Sequence, residues 1–261
     1  MGNLVTNMIT LSGPAADMER LIGLLTGEDP VRLLAGARAN PDRLAWADFA
    51  PWRAVPEPEV ITATGDGQLT DLGLAVLSRD GVNHLRLKQD RDPFLSQMPP
   101  GFSETADGLL RKIGLGDLTG EDLLTAAELH APGCVEAGRL AIAAYEATGE
   151  FGWYDWRQRH WGARAFGEEL RVQPGADGSV SLRFDSVNDC PVPLIRSLIA
   201  QEPSVELSGA GLDEDAGLAV FLVTDGPELM VTETDEEGEL ARAYEIIYGH
   251  PPEPEDEGPE P

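Results

Sequence analysis

A strand that stops at proline and gives way to an apolar-faced helix occurs twice in this chain, once towards each end. That recurrence constrains the fold more than any other feature. Residues 4 to 12 alternate in polarity and are rich in β-branched side chains, which reads as a strand. Gly13-Pro14 stops it, and Met18, Leu21, Ile22, Leu24 and Leu25 then share one helical face that Gly27 ends. The phrase returns at residues 180 to 200: Ser179 to Asp185 alternates, and Pro191-Val192-Pro193 opens a helix carrying Leu194, Ile195, Leu198 and Ile199. Glu169 to Val172 alternates just before it, and Pro174 to Gly178 between the two strands is hairpin chemistry. Val205 to Leu207 and Leu218 to Thr224 read as one more strand pair, across a loop from Gly209 to Gly217.

Two such strand–helix units with antiparallel strands are what a split βαβ sandwich requires, with one sheet face covered by two helices. The predicted class is α+β, a ferredoxin-like sandwich. The text between the two halves differs in kind. Leu69 to Leu77 and Leu109 to Ile113 are helical, Thr119 before Glu121-Asp122 resembles a capped start, and Val135 to Thr148 has an apolar face that Gly149 closes. The stiff Val55-Pro56-Glu57-Pro58-Glu59 marks a boundary ahead of it. The expected organisation is a first half over 1–62, a mainly helical insert over 63–150, the second half over 151–250 and a disordered acidic Pro/Glu tail over 251–261.

Charge excludes some function classes. With 46 acidic against 19 basic residues the net charge is -27, and 41 acids remain without the tail. Such a chain repels phosphate backbones, so direct nucleic-acid binding through a basic groove is not expected. No apolar run reaches membrane-spanning length and the opening residues are not a signal, so the expected location is cytoplasmic. Cys134 and Cys190 belong to no paired spacing and are expected to be buried thiols. His84, His130 and His250 have no partner at ligand spacing, and neither metal nor cofactor is expected. Asp185 and Asp189 with Glu168 and Glu169 have the chemistry for a hard cation but no calcium-loop spacing, and Asp213-Glu214-Asp215 reads as a solvated loop. There is no phosphate loop, dinucleotide fingerprint or nucleophile elbow.

Three of the five tryptophans fall within Trp153 to Trp161. Trp153 and Trp156 share a helical face and Trp161 returns near it, so these rings are expected to pack first as core. A polar rim of Tyr154, Arg157 and His160, with Asp185, is the candidate binding surface beside them.

Three phrases together resemble the YubB-type ferredoxin-like family: the opening Met1 to Pro14, the stretch Trp153-Tyr154-Asp155-Trp156 through His160-Trp161-Gly162, and Phe184-Asp185-Ser186 through Pro191-Val192-Pro193. Their order and spacing cover residues 1 to 30 and 150 to 230. The chain departs from the family at Leu4, Val5, His160, Ala163 and Asn188. The resemblance implies a ferredoxin-like fold and a plasmid or phage setting, and it brings no reaction and no iron–sulfur cluster. The function expected from these readings is a non-enzymatic accessory protein of a phage, plasmid or prophage. It would bind a host or mobile-element protein, one with a basic nucleic-acid-binding site, through its acidic surface, with anti-defence activity or DNA mimicry as the sharpest form. The alternative is a small-molecule or nucleotide-binding domain using the polar rim of Trp153 to Gly162.

Overall fold

A computed structural model describes residues 2–39, 45–65, 67–79, 82–91 and 105–252 of the 261. Of the tail expected to be disordered over 251–261, residues 253–261 lie outside the described ones. The chain forms two compact units, one running to Pro56 and resuming at Gln158, the other Glu57–Arg157. The division falls within the stiff proline segment.

The first unit is built on a seven-stranded antiparallel sheet: β1 (Leu4–Ser12), β2 (Ala45–Asp48), β3 (Glu169–Pro174), β4 (Val180–Val187), β5 (Glu206–Asp213), β6 (Leu218–Asp225) and β7 (Glu228–Thr234). Their spatial order is β2-β3-β4-β1-β5-β6-β7. The four central strands, β3-β4-β1-β5, have the split βαβ order predicted from the two strand–helix phrases, and the sheet is extended by β2 on one side and by β6 and β7 on the other. Helices α1 (Ala15–Leu25) and α10 (Val192–Gln201) follow β1 and β4, as their prolines anticipated. Arg20 on α1 bonds both oxygens of Glu202 at the end of α10. Their stripes of Met18, Leu21, Ile22 and Leu25, and of Leu194, Ile195, Leu198 and Ile199, are buried, as is the sheet face bearing Val5, Ile9, Leu11 and Leu182. Alternation sends Thr6, Met8 and Thr10 to the other face. There α11 (Glu237–Tyr248) covers Ala210, Leu212 and Ala219 with Ala243 and Ile247. Helix α2 (Pro30–Ala39) and a short 3-10 helix over Pro51–Arg53 also belong to this unit.

Of the glycines first read as a loop, Gly209 and Gly211 lie inside β5. A Cβ on Gly209 would stand 2.2 Å from the Met8 carbonyl oxygen, and one on Gly211 would stand 2.9 Å from the Asn7 side chain. β5 thus approaches β1 where only glycine leaves room. Asp213, first read as part of a solvated loop, is the last residue of β5 and 5% exposed. It accepts from Asn3 Nδ2 at 3.0 Å and from the Ala216 amide at 2.8 Å, so it ties the β5–β6 turn to the first strand.

The second unit is helical: α3 (Glu59–Thr62), α4 (Gln68–Leu77), α5 (His84–Arg91), α6 (Ala106–Lys112), α7 (Gly120–His130) and α8 (Cys134–Thr148), with α9 (Trp153–His160) beginning at its end. Its core gathers Leu72, Leu74, Val76, Leu85, Leu110, Leu123, Val135 and Phe151. Thr119 caps nothing with its side chain; Thr105 does so, accepting from the Gly108 amide. Helix α8 is capped from a distance: the Glu128 carboxylate accepts the amides of Gly133 and Val135, each at 2.8 Å. Those two backbone bonds hold its carboxyl below the usual range.

Candidate functional site

The seven site residues expected from sequence are divided between the two units, Trp153, Tyr154, Trp156 and Arg157 in the helical one, and His160, Trp161 and Asp185 in the sheet one. In the helical unit, the Trp153 amide donates to Thr64 Oγ1 at 3.2 Å, which starts α9. Trp156 is buried, whereas Trp153, expected in the core with it, is only half-buried, and Tyr154 is exposed. Arg157 forks onto Glu57, with Nη2 at 2.8 Å from one oxygen and Nε at 3.2 Å from the other, and its guanidinium lies 4.8 Å from the centre of the Trp153 ring. That arginine braces the helix to the chain entering the unit.

In the sheet unit, Trp161 is buried and its indole N–H donates to the Val55 carbonyl at 2.9 Å. Its ring meets Phe166, which with Phe49 and Phe184 forms an aromatic layer over β4. Gly162 follows because a Cβ there, at φ +80°, would stand 2.4 Å from Pro193 Cδ at the start of α10. His160 is exposed at the end of α9. Asp185 is half-buried on the outer face of β4 and lines a shallow depression of about 270 Å³ with Glu169, Arg171 and Arg183. Among the described residues no three His, Cys, Asp or Glu side chains converge as metal ligands. Both cysteines are buried and unbridged. Burial pushes the Cys190 thiol up to about 12, and burial with the neighbouring Glu128 carboxylate also raises that of Cys134, so neither presents a thiolate nucleophile near neutral pH.

The structure brings out three further features. The first is a cavity of about 640 Å³ in the helical unit, lined by Leu69, Leu72, Leu85 and Ile113, with Asp71 and His130 as polar members. Asp71 is engaged by Lys88 at 2.9 Å. The second is the uncovered half of the outer sheet face. Register aligns Trp46, Arg171, Arg183, Met8, Ala210, Phe221 and Thr232 as one row across all seven strands. The third is an acidic arm. Between Glu202 and Pro252 thirteen Asp or Glu residues face a single basic one, Arg242. Asp225 at the end of β6, Glu228 and Glu233 on β7, and Asp235, Glu236 and Glu237 leading into α11 are all exposed. β7 is the outer strand at that end of the sheet, and Val223 and Met230, paired in register there, are each 51% exposed.

These features define an α+β protein with a ferredoxin-like strand order and a helical unit inserted in the chain. Structurally the chain is similar to the crystal structure of a protein api92 from Yersinia pseudotuberculosis, family-model DUF1281, at 15% sequence identity and a TM-score of 0.39, over 90% of this chain and 98% of that one. No family model matches the sequence, and no curated protein matches it. No helix among the described residues is long and apolar enough to cross a membrane.

Proposed function

We propose that the protein is a non-enzymatic binding protein that docks its acidic arm onto a positively charged surface of a partner protein. One observation carries this reading: the exposed carboxylates of β7 and α11 run along an open strand edge that also exposes Val223 and Met230. Like charges packed this densely repel one another and weaken the fold, whereas a basic partner relieves them and is drawn in at long range. An edge strand supplies free backbone N–H and C=O groups for a segment that adds to the sheet, and the paired Val223 and Met230 supply apolar contact beside it. The polar rim of the tryptophan helix supports a small ligand less well, because both oxygens of Glu57 already hold Arg157.

The three phrases that resemble the YubB-type family support an accessory role on a plasmid, phage or prophage, and anti-defence binding or DNA mimicry is the sharpest form of that role. The test is capture from a lysate of the source cells with the full chain and with a Glu228→Lys/Glu233→Lys variant. The expected outcome is a partner held by the native chain, released as salt rises and lost by the variant. Release of that partner by duplex DNA identifies mimicry. Equal recovery by both chains, or recovery of nothing specific at moderate salt, refutes the proposal.

A further inference from the structure

The geometry points to a binding site for a small phosphorylated compound with an aromatic or apolar body on the uncovered half of the outer sheet face, held by Arg171 and Arg183. Register sets these two arginines directly opposite each other on β3 and β4, where side chains stand about 5 Å apart at Cβ and like charges are destabilising. In a chain of 46 carboxylates and 19 bases, neither guanidinium makes an ion pair or a hydrogen bond among the described residues. Each instead lies on a ring: Arg171 is 4.2 Å from the centre of Trp46, and Arg183 is 4.5 Å from that of Tyr248. Stacking of this kind orders the guanidinium plane and leaves its N–H edge directed away from the ring. Two ordered, adjacent positive forks suit a dianion, and phosphate oxygens match their bidentate geometry.

The surroundings supply the rest of a site. Helix α11 covers the row from Met8 to Phe221 and ends at Gly249, φ +78°, just where Tyr248 reaches Arg183. A hollow of about 350 Å³ remains there, with Met8, Ile246 and Tyr248 as an apolar wall, Gln173 and Ser181 as polar partners, and both arginines on its rim. The Tyr248 hydroxyl is fixed by donation to Glu214 at 2.7 Å, which holds the ring in place. Asp185 and Glu169 lie on the far side of the arginines, in the depression beyond them. They disfavour an anion there and direct it to the α11 side.

The experiment titrates the full chain with inorganic phosphate, phenyl phosphate and phenol by calorimetry, and follows the arginine side-chain Nε–H resonances of the native protein. The expected result is saturable binding of phenyl phosphate, at least about tenfold tighter than phosphate, with phenol not binding and two arginine resonances moving together. An Arg171→Gln/Arg183→Gln variant of unchanged circular dichroism should bind at least about tenfold more weakly, and Arg242→Gln, an arginine stacked on Phe221 outside the hollow, should bind as the native chain does. Absence of saturation, equal affinity for phosphate and phenyl phosphate, or undiminished binding by the double variant would overturn the assignment. If the double variant does not fold, unmoved arginine resonances in the native chain overturn it equally.

Discussion

Replacing Gly73 by alanine should destabilise the protein, although the same replacement in an isolated helix stabilises it. Gly73 on α4 meets Gly138 on α8 at the closest approach of those helices. A Cβ on Gly73 would stand 2.0 Å from the Cys134 carbonyl oxygen and 2.7 Å from the Gly138 amide nitrogen, against 3.4 Å for ordinary contact. Backbone atoms cannot swing aside, so the helices must part by more than an ångström there. The parting loosens Leu72, Leu74, Val135 and Ala141, all at most 6% exposed. Overpacking with the backbone shift it forces costs about 1–3 kcal/mol, and falls at the upper end here because the atoms in the way are themselves backbone. Against it stands the better helix propensity of alanine, up to about 1 kcal/mol. The expected net loss is about 2 kcal/mol. Gly36, exposed on α2 with nothing within 4 Å of its Cβ position, is the control: Gly36→Ala keeps only the propensity term and should gain about 0.5–1 kcal/mol. Urea unfolding followed by circular dichroism reads both, as opposite shifts of the midpoint at constant slope. A Gly73→Ala chain as stable as the native one, or more so, would refute the helix contact.

Asn7→Ala should cost about 1–3 kcal/mol in the same assay, because Nδ2 of this fully buried residue donates to Val5 O, Phe184 O and Ser186 Oγ at 3.0, 3.3 and 2.8 Å. Trp161→Phe removes the indole bond to Val55 while keeping a ring, and a loss of about 1 kcal/mol or somewhat more is expected; no change would show that the bond contributes nothing. Cys190 has a folded-state value raised by burial to about 12 from an ordinary 9.0, so the native state holds its proton longer than the unfolded chain. Its contribution to stability is therefore complete below about pH 9 and is lost as pH rises from there towards 12. A thiol reagent at pH 8 should label neither cysteine until denaturant is added, and prompt labelling of the native chain would contradict the burial.

The expected elements that lie among the described residues carried their own local signals. β1 follows from alternation, α1 and α10 from a proline and a 3.6-residue apolar stripe, and α8 from its stripe and Gly149, which closes it at φ +84°. β2 and β7 had no such signal. β2 is only four residues, and β7 reads Glu-Leu-Met-Val-Thr-Glu-Thr with both faces largely open, so each exists as a strand through its neighbour. The candidate surfaces divide in the same way. The tryptophan cluster and the acid excess are visible by counting, whereas the arginine row and the hollow beside it bring together residues up to about 240 positions apart, and the helical cavity residues up to about 60 apart.

By itself the sequence determined the α+β class and the placement of Trp156 and Trp161 in the core, since period-two and period-3.6 burial patterns are properties of each segment alone. The split βαβ order of the central strands followed only from matching the two strand–helix units to that motif. Only the tertiary structure decided that Gly209 and Gly211 belong to a strand, that Asp213 is buried against Asn3, that Glu128 caps α8, and that Arg171 and Arg183 face each other beside Tyr248. The physical reason is that each of these depends on strand register or helix crossing. A shift of one residue in either would separate the groups while leaving every local pattern unchanged.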